Sequence, residues 1–145
     1  ILKDGWLYTG DIGEIDSQDG YLKITDRKKD IIVSAGGDNI SPAKIENQLT
    51  NSPAIEQSMV YGEGKNYLVA LIVSSKEFTG EKEKIKEIIS KINKNLTLVE
   101  KIKKFHLLEE SFSIENGLLT PTMKVKRNKV ILKYKNILES FYKKQ

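Results

Sequence analysis

Cysteine is absent from this 145-residue chain, and histidine occurs once, at His106. Without thiols there is no disulfide framework and no thiolate metal site, and one imidazole cannot build a histidine cluster, so no metal centre is expected from these residues. The lack of cysteine suits a reducing compartment, and a cytoplasmic location is the expectation. No apolar run approaches the roughly 20 residues that cross a bilayer. The opening Ile1-Leu2-Lys3-Asp4 has neither an initiator Met nor the apolar stretch of a signal peptide, and reads as a cut within a longer protein. Neither a G-x-G-x-x-G nor a Walker pattern occurs, which removes those two phosphate-cradling loops. Arginine is also scarce: among 24 basic residues it appears only as Arg27 and Arg127.

What is present fits one ordinary domain with a little to spare. The hydrophobic share is 39% and the charged share 30%, as in a globular protein with a modest core. The net charge of +4 raises the question of nucleic acid. Its distribution argues against that partner: Lys82, Lys84, Lys86, Lys91 and Lys94 alternate with Glu81, Glu83 and Glu87, the pattern of a solvated helix face. A dense basic run, Lys124 to Lys135, remains. The two arginines gain interest from their rarity, because a guanidinium fork grips phosphate, carboxylate or ribose oxygens at two points where lysine cannot. Arg127 could equally cap or brace a helix.

Periodicity gives the organisation. Ile12–Asp16 and Tyr21–Thr25 are β-prone runs around Ser17-Gln18-Asp19-Gly20, a turn whose Asp-Gly pair favours positive φ. This hairpin has too little apolar surface to stand alone. Asp26–Asp30 is a charged bridge, read as a linker. A buried strand Ile31–Val33, a small-residue loop at Ser34–Asn39 and a helix opened by Ser41 and Pro42 follow. Ile55–Tyr61 and Tyr67–Ser74 read as an antiparallel hairpin. Ile85, Ile88, Ile89, Ile92 and Leu96 repeat at helical spacing. A short helical segment near 98–103, a strand at Phe105–Leu108 and a last helix through Val130, Ile131, Tyr134, Ile137, Leu138 and Phe141 complete the chain. The expected class is α+β, a small antiparallel sheet flanked by helices.

Two strings carry the functional signal. The first runs from Gly5-Trp6-Leu7-Tyr8-Thr9-Gly10-Asp11 through Gly20-Tyr21-Leu22-Lys23-Ile24-Thr25-Asp26-Arg27-Lys28-Lys29-Asp30 to Gly36-Gly37-Asp38-Asn39-Ile40-Ser41-Pro42-Ala43-Lys44-Ile45-Glu46. The second is Asn116-Gly117-Leu118-Leu119-Thr120-Pro121-Thr122-Met123-Lys124-Val125-Lys126-Arg127. In this order they resemble the final part of an AMP-forming acyl-CoA synthetase of the adenylate-forming superfamily, long-chain fatty-acid type. The resemblance implies three units: 1–25 as the terminal hairpin of the N-terminal adenylation domain, 26–30 as a hinge linker, and 31–145 as a C-terminal lid domain. It implies ATP or AMP, CoA and fatty acid as small-molecule partners, with Mg2+ bound mainly by the N-terminal domain, which is itself the macromolecular partner. It leaves room for peripheral membrane association of the full-length enzyme, and it implies that the chain alone has no ligase activity.

Residue by residue, the resemblance gives Asp11 the nucleotide ribose, whose vicinal diol offers two donors to one carboxylate. Read alone, it is an Asp in a turn. Arg27 would reach ribose and phosphate, against a surface ion pair as the plain reading. Lys29 takes the hinge position, where relatives often carry Asp and sometimes Lys. Gly36 and Gly37 would line the pantetheine channel of CoA, or else simply end a strand; Asn39 stands where many members have arginine. Lys124 would be the catalytic lysine that holds the incoming carboxylate and the phosphate oxygens, with Lys126 as its rival. Met123 replaces the usual glycine, as in long-chain members. His106 reads as structural. The alternatives are a fatty-acyl-AMP or acyl-carrier-protein ligase of the same superfamily, or a non-catalytic basic binding module.

Overall fold

The computed structural model describes residues 2–3, 6–7, 11–15, 17–18, 20–27 and 30–143. The first elements are β1 (Leu2–Lys3) paired with β2 (Trp6–Leu7), then β3 (Asp11–Ile15) antiparallel to β4 (Leu22–Arg27). Gly20 in the intervening turn takes φ +75°, as its Asp-Gly context suggests. β4 runs on through Arg27, so Asp26 and Arg27 continue the ladder into the stretch expected as linker.

β5 (Ile32–Val33) pairs antiparallel with β6 (Asn39–Ile40) around the small-residue loop. The sequence suggested a buried strand here. Instead the two residues alternate, Ile32 at 6% exposure and Val33 at 40%, because only one face of this short ribbon meets the core. α1 (Pro42–Thr50) begins as its sequence dictates: the Ser41 side chain accepts from the Lys44 N–H at 3.3 Å and Pro42 occupies the first turn. Ile45 and Leu49, one helical turn apart, are fully buried beneath it.

The centre is a three-stranded sheet in the order β7 (Ile55–Tyr61), β8 (Leu68–Ser74), β9 (Ile102–Leu107). β7 and β8 form the expected antiparallel hairpin. β9 joins the other edge of β8 in parallel, which makes the sheet mixed rather than purely antiparallel. The crossover α2 (Lys82–Asn93) explains this: a strand that returns after a helix re-enters the sheet in the same direction. The helical segment expected near 98–103 is a single 3-10 turn, Leu98–Glu100, closed by a capping box between Thr97 and Glu100, and the strand begins directly afterwards. β8 reads as an unbroken apolar run because both of its faces are covered, with Leu68 to Val73 all buried.

Two apolar clusters lie on the two faces of the sheet. Ile45, Leu49, Ile55, Ile72, Ile85 and Ile89 belong to the cluster beneath α1 and α2. Met59, Val69, Leu71, Phe112, Leu118, Leu119, Val130 and Leu138 form the other, beneath the C-terminal third. There the expected last helix is two: α3 (Arg127–Lys133) and α4 (Lys135–Ser140), broken at Tyr134 with φ −107° and ψ 20°. Val130 anchors the first and Leu138 the second. Tyrosines fasten the end of α4 to the hairpin: Tyr67 OH donates to the Phe141 carbonyl at 2.6 Å and Tyr142 OH to the Tyr67 carbonyl at 2.9 Å.

Candidate functional site

The second string folds as a tight hairpin with buried feet and an exposed tip. Leu118 and Leu119 sit in the core, Leu119 pairs with Val125, and the Lys126 N–H donates to the Leu118 carbonyl at 2.8 Å. At the tip Pro121 supplies the φ that the second position of a β-turn needs, and the Met123 N–H closes the turn on the Thr120 carbonyl at 2.8 Å. The Thr120 hydroxyl accepts from the Lys124 N–H at 3.1 Å and lies 3.0 Å from the Thr122 hydroxyl. Met123 is left-handed, φ 66°, the one non-glycine residue in that region among those described. A side chain there costs of order 1 kcal/mol. This is the position where the resemblance puts glycine, the residue that adopts such a φ without a side-chain penalty.

The bend presents Lys124. Its side chain is exposed and has no ion-pair partner among the described residues. It lines a groove of about 470 Å³ with Asp30, Thr120, Val125, Lys126, Arg127, Asn128 and Lys129. Lys124, Lys126 and Lys129 against the one carboxylate of Asp30 make this groove suited to an anion. Lys126, the rival, lines it too, so both lysines remain in reach of one ligand. Asp30, Arg127 and Asn128 also border an adjoining cavity of about 190 Å³ that reaches Ile32, Tyr61 and Glu63.

Arg127 turns out to be a brace. Its Nη1 donates to Glu46 Oε2 at 2.7 Å while Nη2 meets Oε1, a two-point fork between the start of α3 and the middle of α1. Glu46 Oε2 also accepts from the Val60 N–H at 2.7 Å. Both side chains are largely buried, at 20% and 14% exposure, where a guanidinium–carboxylate pair is well screened from water. Glu46 stood at the end of the first string without a role. The signal that could have singled it out is the scarcity of arginine, since a lone buried fork needs a carboxylate.

Asp11 and Arg27 are partners in the β3–β4 register, so one rung of the ladder joins both residues that the resemblance sends to the nucleotide. Lys29, the expected hinge, lies outside the described residues. Gly36 and Gly37 form the loop between β5 and β6. Gly37 needs its freedom, with φ +87°, whereas a Cβ at Gly36 would sit in ordinary contact, 3.5 Å from Asp38 Oδ2. The loop is held from below: the Ala35 N–H donates to the Lys65 carbonyl at 3.0 Å, the Gly64 N–H to the Val33 carbonyl at 2.8 Å, and the Val33 N–H to Glu63 Oε2 at 3.0 Å. Neither glycine lines the lysine groove or the cavity beside it. His106 is half-buried in β9 opposite Leu71, in line with a structural role.

Two further ion pairs fix the surroundings. Lys44 of α1 meets Glu100 at 3.0 Å. Burial pushes the Glu100 carboxyl up, but hydrogen bonds from Lys44 and Thr97 outweigh it and hold the group below the usual carboxylate range. Beside the lysine hairpin, Lys133 bonds Glu110 at 2.9 Å and, with Asn116, keeps that exposed carboxyl low.

Residues 29–145 match the family model described as "AMP-binding enzyme C-terminal domain", and the chain belongs to that family. Among individual proteins, it is similar to the long-chain-fatty-acid–CoA ligase FadD15 of Mycobacterium tuberculosis, 40% identical over 98% of this chain and 27% of that protein. The chain thus spans about a quarter of that relative's length. Among solved structures, the A-PCP didomain of carboxylic acid reductase from Segniliparus rugosus in complex with AMP superposes with TM-score 0.84 at 29% identity, covering 97% of this chain and 21% of that one. A Mycobacterium tuberculosis fatty acyl CoA synthetase gives TM-score 0.62 at 30% identity, covering 92% and 25%.

Proposed function

We propose that this chain is the C-terminal lid portion of an ATP-dependent, AMP-forming long-chain fatty-acid–CoA ligase that works in the cytoplasm. The observation that carries the proposal is the exposed Lys124 at the tip of a sharply bent hairpin, in a cationic groove that also receives Asp30 from the linker side. In the first half-reaction a fatty-acid carboxylate oxygen attacks the α-phosphorus of ATP; the bond to pyrophosphate breaks and acyl-AMP forms. Negative charge gathers on the phosphoryl oxygens as this happens. A lysine that needs no protein carboxylate can bridge the incoming carboxylate and those oxygens, stabilising charge as it develops. Asp11 would hold the ribose diol and Arg27 the ribose and phosphate. In the second half-reaction the CoA sulfur attacks the acyl carbon and AMP leaves, with Gly36 and Gly37 beside the pantetheine arm and Lys29 as the hinge between the two poses.

Among the described residues no three His, Asp or Glu side chains converge as a metal site. On this reading magnesium would be held with the phosphates mainly by the large domain, where it would neutralise phosphate charge.

The test uses the intact ligase. Lys124→Ala should reduce acyl-AMP formation by roughly 10²–10³. Thioester formation from supplied acyl-AMP should persist. Equal losses in both half-reactions would remove the assignment, and a silent Lys124→Ala beside an inactive Lys126→Ala would move it by two residues. A second reading, transfer to a carrier-protein arm, is favoured by the likeness to the A-PCP didomain. Thioester assays offering CoA and a holo-carrier protein side by side decide between the two acceptors.

A further inference from the structure

Lys124 can act only if its hairpin points the same way each time the lid closes, and the hairpin tip has little to hold it. Its backbone hydrogen bonds are internal, its tip residues 121–124 are exposed, and one of them sits at a positive φ. What ties the hairpin to the rest of the domain is its feet. Leu118 and Leu119 plug one strand into the core. The other strand runs Val125-Lys126 straight into Arg127, whose fork is engaged by Glu46 from α1, 81 positions earlier in the chain.

From this we infer that Glu46 is a positioning residue for Lys124, acting through Arg127. The carboxylate does two things at once. It takes the guanidinium at both nitrogens, which fixes the direction of the first residue of α3, and it takes the Val60 N–H of β7, which fixes the carboxylate itself against the central sheet. The hairpin is thereby referenced to the sheet rather than to a neighbouring loop. A fork contact constrains an angle as well as a distance, and a single ammonium in place of Arg127 would hold the distance alone. Displacing a catalytic group by about 1 Å can cost up to about a hundredfold in rate, so an anchor at the hairpin foot has leverage at its tip. The site of contact adds to this. Arg127 and Asp30 line both the lysine groove and the adjoining cavity, so the anchor lies where the linker side and the lysine loop meet.

The inference rests on the reading of Lys124 as the lysine of adenylation, and the experiment separates the two. In the intact ligase, Glu46→Gln keeps the shape and an acceptor for the Val60 N–H while removing the charge. Arg127→Lys keeps the charge while removing the fork, and serves if Glu46→Gln fails to fold. Each should lower kcat for acyl-AMP formation about tenfold. KM for the fatty acid and thioester formation from supplied acyl-AMP should be little changed. In a Lys124→Ala background either change should add nothing, since groups acting as one unit are not additive. Losses that multiply with Lys124→Ala, or that fall equally on both half-reactions, would mean a merely structural ion pair and overturn the inference. Amide exchange supplies a readout independent of catalysis. In Glu46→Gln the Met123, Lys124 and Lys126 amides should exchange faster while those of β7 and β8 stay protected. Unchanged protection in the hairpin would also overturn it. If Lys124→Ala proves silent in adenylation, the functional reading fails on its own, and the exchange pattern still decides whether Glu46 orders the loop.

Discussion

The two faces of the central sheet are built differently. On one, α1 and α2 lay regular stripes of isoleucine and leucine over β7–β9, with Ile45, Leu49 and Ile85 excluded from water entirely. On the other, the cover is a long loop, a hairpin and two helices of 7 and 6 residues, rimmed by the half-buried tyrosines 61, 67, 134 and 142. The first face supplies stability mainly by apolar burial, with Glu46 and Lys44 of α1 making their ion pairs at its rim. The second is stitched along its irregular segments by side-chain-to-backbone hydrogen bonds, such as the Gln57 amide, which donates to the Phe112 carbonyl at 3.0 Å and accepts from the Phe112 N–H at 2.7 Å. Stitches of that kind hold irregular backbone in place, and irregular backbone is what a lysine-bearing loop requires. An apolar face roofed by regular helices and another roofed by irregular chain let one small domain be both scaffold and tool.

The contrast can be strained deliberately. The largest effect on folding should come from the aliphatic side. Leu49→Ala empties a site with 0% exposure and should cost about 2–5 kcal/mol in urea unfolding. A loss below 1 kcal/mol would mean that α1 is not part of the folding unit. On the stitched side, Tyr142→Phe removes one donor, and about 1 kcal/mol is expected.

The same tyrosine gives a pH dependence. Burial, followed by the neighbouring Tyr67 and Tyr61, raises its phenol above the ordinary value of 10.0. Above that pH the unfolded chain releases this proton while the folded chain keeps it. Stability therefore falls as pH rises past about 10, and falls less steeply in Tyr142→Phe. Parallel alkaline melts of the two proteins would sharpen or erase the difference. The smallest effect should be at the hairpin tip. Met123→Gly relieves the left-handed strain but adds backbone freedom to the unfolded chain, so a gain of no more than about 1 kcal/mol is expected. A clear destabilisation would show that the methionine side chain holds the tip.

The same division explains what could be read from the sequence. α1, α2 and the β7–β8 hairpin follow from stripes, caps and alternation because each is local and half-buried. The parallel entry of β9 does not, since direction within a sheet is a property of the connection and not of the strand. The break at Tyr134 escaped as well, because the apolar positions of α3 and α4 satisfy one continuous helical period. At the candidate site, Lys124 and the turn that bears it lie in one short string, while the left-handed backbone at Met123 is not something a methionine announces. Glu46 was not legible, because its partner lies 81 positions away and only the fold brings them together.

The parallel seam between β8 and β9 also sets an order of events. While the chain is being made, β7 and β8 can zip together as soon as residue 74 emerges, but the far edge of β8 stays open until residues 102–107 arrive behind α2. For that interval the uncharged segment Leu-Val-Ala-Leu-Ile-Val at 68–73 presents a bare strand edge to its neighbours, with no proline or charge to discourage pairing. Chains released early, anywhere between α2 and β9, should therefore be the ones that clump, and chaperone demand for this domain should peak there.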